Sequence, residues 1–137
     1  MATSLEAVGD YIVANALGTY LSNGSGTLAL GTLPEAPDAV AVVYENAGQS
    51  PLFTMGAGGI VMDYSMIQIV CRGSADDYET PRDRIVGIRN LLAGVVDVTS
   101  ATIKIMRIEP MGNINALGID AQRRFIFSAN FRCLTQN

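Results

Sequence analysis

Hydrophobic and polar residues alternate along the C-terminal end of the chain, from Arg123 to Leu134. One side of this pattern is apolar: Phe125, Phe127, Ala129, Phe131 and Cys133. The other side is mainly polar: Arg124, Ser128, Asn130 and Arg132, with Ile126 and Leu134 as exceptions. A period of two over about ten residues is typical of a half-buried β-strand. The pattern predicts a long final strand whose aromatic face lies in the core.

The N-terminal segment follows the spacing of a helix instead. Thr3 and Glu6 fit a capping box, in which two side chains satisfy the free N–H groups of a helix start. Apolar residues then recur at helical spacing: Leu5, Val8, Ile12, Ala16 and Tyr20. Asn23-Gly24 fits a helix end, because both residues tolerate left-handed backbone. The pattern predicts a helix over residues 4–22.

A second helix is predicted to open at Thr80-Pro81, because proline favours the first helical turn. Its buried stripe is formed by Ile85, Ile88, Leu92 and Val95. Strands are predicted over 27–30, 39–44, 60–72, 102–109 and 115–119, with turns at 73–77 and 110–113. Adjacent strands interrupted by helices indicate an α+β fold, a mostly antiparallel sheet packed against two helices. At 137 residues the chain is predicted to be a single domain, 1–137.

The segment from Asn46 to Gly59 contains four glycines and one proline and is predicted to be a flexible loop. It is longer than the usual connection between elements, and such loops are usually functional or disordered. Leu52, Phe53 and Met55 give it an apolar patch too small to fold alone. We expect the loop to be mobile in the free subunit and to anchor in a neighbouring copy or another partner.

Charged residues make up 16% of the chain and apolar residues 49%. The charged fraction is well below the roughly 25% of ordinary domains, which favours burial of surface against other subunits over a monomer with apolar patches. The net charge is −4, and Arg123-Arg124 is the longest basic run, so sequence-specific DNA binding is not expected. No apolar run reaches the ~18 residues of a membrane span.

The residues that usually carry chemistry are scarce. The chain has no histidine, and its two cysteines, Cys71 and Cys133, lie far apart in strand-like runs, which predicts buried free thiols. The glycines of 56–59 precede a strand, whereas a phosphate-binding loop precedes a helix. The acidic run 76–79 is predicted to be a solvated turn near a helix start. We expect no enzyme activity, no cofactor and no metal.

The arginines leave two interpretations open. Those of the second helix form either a solvated face or a face of salt bridges between subunits, and those of the last strand face either solvent or a neighbour. The predicted interface residues are Leu52, Phe53, Met55, Arg82, Arg84, Arg89, Arg124 and Arg132.

The order of elements resembles the tail terminator proteins of long-tailed bacteriophages, often described as minor capsid or head–tail joining proteins. The most similar sequence segment contains Gly118-Ile119-Asp120, Arg123, Phe125, Ser128 and Asn130-Phe131. A second similar segment comprises residues 64–72, and a polar turn and the helix from Thr80 follow it. The chain departs from the family at Ala121-Gln122, where relatives often have a turn-forming pair such as Asn-Gly.

The resemblance implies a virion structural protein at the head–tail junction, assembled in the host cytoplasm. It implies a ring, typically of six copies, that caps the tail tube and joins it to the head connector or stopper protein. DNA would only pass through the central channel, and no cofactor or membrane is involved. The alternative, from a different class, is a small ligand-binding α+β domain with 46–59 as a lid.

Overall fold

A computed structural model describes residues 3–22, 25–46, 52–53 and 60–136. Its helices are α1 (Ser4–Ala14) and α2 (Glu79–Ala93). Its strands are β1 (Leu28–Leu30), β2 (Val40–Asn46), β3 (Leu52–Phe53), β4 (Ile60–Ala75), β5 (Val96–Ser100), β6 (Ile103–Pro110), β7 (Asn115–Ile119) and β8 (Arg124–Gln136). The described residues confirm the predicted α+β fold with two helices.

One curled sheet contains the described strands in the order β1-β2-β4-β8-β6-β5, with β3 along β4 and β7 along β8. Every pair is antiparallel except β1 with β2. The long strands β4 and β8 form the centre, paired from Met62 opposite Gln136 to Arg72 opposite Ile126. Successive side chains of a strand point to opposite faces of the sheet, and one face of β8 lies in the core, which explains the alternation in its sequence.

Both helices pack on one face of the sheet and bury its apolar residues. The core includes the predicted faces of the two central strands: Ile67, Ile69, Cys71, Phe127, Ala129, Phe131 and Cys133. It also includes the predicted stripe Ile85, Ile88 and Leu92 of α2, which begins one residue before Thr80. The prediction of buried free cysteines is confirmed. Burial raises the pKa of each thiol to about 12, so neither is a reactive nucleophile at neutral pH.

The first helix is shorter than predicted, because α1 ends at Ala14 and not at residue 22. Asn15 caps its C-terminal end, and Ala16 follows in the left-handed conformation with φ of 61°. The Tyr20 side chain folds back onto α1, where a Cβ on Gly9 would lie 2.6 Å from the tyrosine hydroxyl. The helical spacing of Ala16 and Tyr20 is therefore a coincidence of sequence and not a helical face.

Strand β5 was not predicted from the sequence. It forms a hairpin with β6 through Ala101-Thr102, both in the left-handed conformation, with φ of 49° and 65°. Two such residues are typical of the type I′ turn, which usually contains asparagine and glycine. The predicted turn at 73–77 also begins late, since β4 continues to Ala75 and Asp76 is the left-handed residue.

The predicted turn at 110–113 does not reverse the chain. Strands β6 and β7 both pair antiparallel with β8, β6 with its second half and β7 with its first half. Between them, the Met111 N–H donates to the Asn130 carbonyl oxygen at 2.8 Å. Pro110 and Gly112 therefore interrupt one extended run along β8, and the reversal comes later, between β7 and β8.

Candidate interface surfaces

Three predicted interface residues come from the glycine-rich segment. Leu52 and Phe53 form β3, which pairs with Met62 and Ile60 at the start of β4. Met55 and most of the segment lie outside the described residues. Strand β3 thus interrupts a segment that the glycine content predicted to be irregular throughout, because two adjacent apolar residues find a partner in the long β4. The mobility of the segment and its contact with a partner stay predictions.

Arg82, Arg84 and Arg89 lie on α2 in different environments. Arg84 is half-buried and donates to the carbonyl oxygens of Thr27 at 2.8 Å and Leu17 at 3.5 Å. Burial lowers the pKa of its guanidinium. Arg89 bonds two asparagine side chains at 3.3–3.4 Å. Arg84 therefore ties α2 to the chain after α1, while Arg82 and Arg89 lie partly exposed at the surface.

The sheet face opposite the helices is covered at one end by residues 34–38, which we call the covering segment. Arg72, 3% exposed, holds it in place. Its guanidinium donates at 2.6–3.3 Å to four backbone carbonyl oxygens, those of Pro34, Glu35, Pro37 and Asp38. The cover on this face therefore comes from the same chain.

Arg124 also binds the covering segment. Its Nη1 donates to the Glu35 carbonyl oxygen at 2.9 Å and to Asp38 Oδ1 at 3.0 Å, and its Nε donates to Asp120 Oδ2 at 2.8 Å. Burial lowers the pKa of this guanidinium, but the bonds to Asp120 and Asp38 outweigh burial and raise it. With a side chain only 4% exposed, Arg124 stabilises its own subunit, and we leave it out of the proposed contact surface.

Arg132 lies eight positions further along β8, about 27 Å away in an extended strand. It donates to Glu109, which also pairs with Arg107, and its guanidinium carbon lies 5.7 Å from the centre of the Tyr64 ring. These residues line a cavity of about 240 Å³. Arg132 is half-buried, and its contact with a neighbouring copy stays a prediction.

An open groove of about 750 Å³ lies between the end of α1 and the start of α2. Val13, Ala16 and Leu17 contribute to its lining, and the charged group in it is Arg84, which already bonds two carbonyl oxygens. Ligand sites combine an apolar cavity with convergent polar groups. The groove is also lined by Thr19, Thr27 and Thr80, and the ligand-binding alternative stays a prediction.

The hairpin between β7 and β8 is closed by a side chain. Asp120 Oδ1 accepts from the N–H of Gln122 at 3.0 Å and of Arg124 at 2.9 Å, and Arg123 takes up the left-handed conformation. The hairpin is braced from outside because the Asp76 N–H donates to the Arg123 carbonyl oxygen at 2.8 Å. The turn is tight without Asn-Gly, because the aspartate replaces the missing turn residues.

The hairpin is expected to be sensitive to acid. Hydrogen bonds from the backbone and side chain of Arg124 hold the pKa of Asp120 below its ordinary 3.8. A lowered folded pKa contributes stability that is present above the ordinary pKa and is lost as pH falls through the folded value. Thermal melts from pH 7 to pH 2 should show this loss in the wild type and a smaller loss in Asp120→Asn. An equal loss in both proteins would contradict the role of Asp120.

The acidic turn before α2 is structural, as predicted. Asp77 Oδ1 accepts from the Thr80 N–H at 3.2 Å, and Asp76 pairs with Arg123 at 2.7 Å. The bonds from Thr80 lower the pKa of Asp77. Within the described ranges no group of three or more acidic, cysteine or histidine residues is placed to hold a metal. Neither described helix is long and apolar enough to cross a bilayer.

Comparison with known proteins gives likenesses to solved structures and no match by sequence. No protein-family model matches the chain, and no curated protein matches it by sequence. Among solved structures, the chain is similar to a chain of the virion of a native gene transfer agent particle, with a TM-score of 0.64. The alignment covers 98% of this chain and 95% of that chain at 14% identity. A likeness at this identity shows the fold, which is thus one used by a component of a virion particle.

Proposed function

We propose that the protein is a structural component of a phage-like virion. The observation that carries the proposal is the fold similarity, which extends over 98% of the chain to a chain of a virion particle. The low charged fraction and the exposed apolar side chains support a protein that buries part of its surface in contacts with other subunits.

Within the virion, we propose that copies of the chain form a ring that caps the tail tube and joins it to the head connector or stopper protein. The resemblance of residues 118–131 to tail terminator proteins supports this finer assignment. Six copies are expected from the same resemblance, with DNA passing through the channel without sequence-specific contacts. The net charge of −4 is consistent with a surface that does not grip DNA. No catalytic step is assigned to any residue.

Size exclusion with light scattering tests self-association of the purified chain. We expect a species several times the 14.5 kDa mass of the chain, with a larger fraction in that species at higher protein concentration or with purified tail tubes added. The ligand-binding alternative predicts a monomer at every protein concentration. It also predicts that a small molecule raises the melting temperature of this monomer. A strict monomer in solution, together with particles that contain no ring of this chain, would contradict the proposal.

A further inference from the structure

Strand β7 is an edge strand whose five residues are all exposed in its own subunit. Leu117 is 56% exposed and Ile119 is 47% exposed. One side of β7 pairs with β8, and no strand among the described residues pairs with its other side. Ordering a strand costs conformational entropy, which burial of side chains normally offsets. In the isolated subunit, burial of side chains therefore does not offset the entropy cost of ordering β7.

The free edge of β7 is nevertheless held in a fixed position. The Asp120 carboxylate closes the hairpin, and Arg123 Nε donates to Asp76 Oδ1 at 2.7 Å beside the backbone bond between the same two residues. Directly after the turn, the buried Arg124 joins the hairpin to the covering segment. A pre-ordered edge loses little further freedom when another chain adds to it, which favours association.

Two other edges of the sheet are protected, and β7 is not. Strand β5 carries Asp97, which pairs with Lys104 of β6 at 3.1 Å, and charges discourage pairing between edges. The outer side of β1 is covered by preceding chain, since the Leu21 N–H donates to the Leu28 carbonyl oxygen at 3.0 Å. Strand β7, with the sequence Asn-Ala-Leu-Gly-Ile, has neither charge nor such cover among the described residues.

The apolar surface continues from β7 onto the neighbouring turn. Ile119 lies opposite Phe125 in the hairpin, and Tyr78 packs edge-on against Phe125 with ring centres 5.3 Å apart. Tyr78 remains 49% exposed. Ile119, Phe125 and Tyr78 thus extend the free edge into a patch next to the start of α2.

We propose that a second copy of this chain covers the β7 edge and Tyr78, and that it adds main chain along β7. The patch carries no charge that would select an acidic or basic partner, and a chain with 16% charged residues offers apolar surface of its own. The two lateral sides of the sheet differ, because β7 is free on one side and β1 is covered by preceding chain on the other. Contact of β7 with a different surface of the next copy is heterologous, the type that generates a ring when its rotation closes.

The size of the edge also suits a ring. The edge is short, since five residues span about 17 Å. In a closed ring every copy is held on two sides, so a modest contact is sufficient. The inference therefore rests on the proposed ring and names the surface through which it assembles.

Leu117→Lys and Ile119→Lys test the inference, with Val96→Lys as the matched control. Val96 is an exposed apolar residue of the protected strand β5, 65% exposed. Because all three side chains are exposed, melting temperatures should stay close to that of the wild type. Light scattering should show that self-association is weakened by about tenfold or more in the two β7 variants, because each places an unpaired charge at the contact. Self-association should be unchanged in Val96→Lys.

The outcomes separate this inference from the proposed function. If the wild type forms rings and both β7 variants form them equally well, the β7 contact is overturned while the ring remains. If the wild type does not associate and particles contain no ring, both proposals fail. Leu117→Cys tests which surfaces meet in the contact. The native Cys71 and Cys133 are buried, so a disulfide between copies would form through the new cysteine. Disulfide-linked pairs of this variant in the assembled state would indicate contact between like edges and overturn the heterologous arrangement.

Discussion

Replacing Phe127 with alanine is expected to lower the free energy of unfolding by about 3–5 kcal/mol, the usual range for truncating a core aromatic residue. Phe127 is 2% exposed and lies on β8, at the centre of the sheet. Its ring packs edge-on against Tyr78 with centres 5.2 Å apart. Neighbours from β4 and β8 are held by the sheet, so they cannot collapse to fill the cavity. The expected loss is a large share of the ~5–15 kcal/mol that stabilises an ordinary domain.

Urea unfolding followed by circular dichroism measures this loss. Val96→Ala is the control, because it truncates an apolar side chain that is 65% exposed and lies outside the proposed contact, and it should change stability by less than about 0.5 kcal/mol. An unchanged stability of Phe127→Ala would show that the aromatic face of β8 points away from the helices.

Replacing Arg72 with lysine is expected to lower the free energy of unfolding by about 2–4 kcal/mol, although the positive charge is kept. A hydrogen bond from a charged group contributes about 1.5–3 kcal/mol, and bonds that share a donor group are not additive. The planar guanidinium of Arg72 reaches four carbonyl oxygens of the covering segment. A lysine ammonium is a compact point charge without this forked geometry, so it leaves some of these four carbonyl oxygens without their donor.

Hydrogen exchange locates the effect. In Arg72→Lys, the amides of Glu35, Ala36 and Asp38 should exchange faster than in the wild type, while the amides of α2 keep their protection relative to global unfolding. Arg82→Lys is the control, since no hydrogen bond or ion pair of Arg82 occurs in the part of the chain that the structure describes. Equal exchange at 35–38 in all three proteins would show that Arg72 does not hold the segment.

The central strands and the second helix were predictable from sequence because their pattern is set by one buried face. Residues 60–72 and 124–134 alternate as strands, and the stripe of α2 repeats at helical spacing, so local periodicity carries the information. The end of α1 was not predictable, because Tyr20 keeps helical spacing while folding back onto Gly9. Strand β5 was missed because its turn, Ala101-Thr102, lacks the usual asparagine and glycine.

The contact surfaces were harder to predict than the fold. Arg124 alternates on the outer face of β8, but its burial depends on Glu35 and Asp38, more than eighty residues earlier. Such distant cover leaves no local signal in the sequence. The exposure of Leu117 and Ile119 was missed for the opposite reason, because apolar residues in a predicted strand are expected to be buried. The hydrophobic pattern predicts apolar strands, but it does not indicate whether the same chain or another copy buries them.

The most direct test of the proposed function is electron cryomicroscopy of whole particles that contain this chain. We predict a closed ring of copies at the junction of tail tube and head connector, into which the α+β fold fits. We also predict that β7 of each copy lies against the next copy. Particles whose head–tail junction contains no ring of this chain would contradict the proposed function.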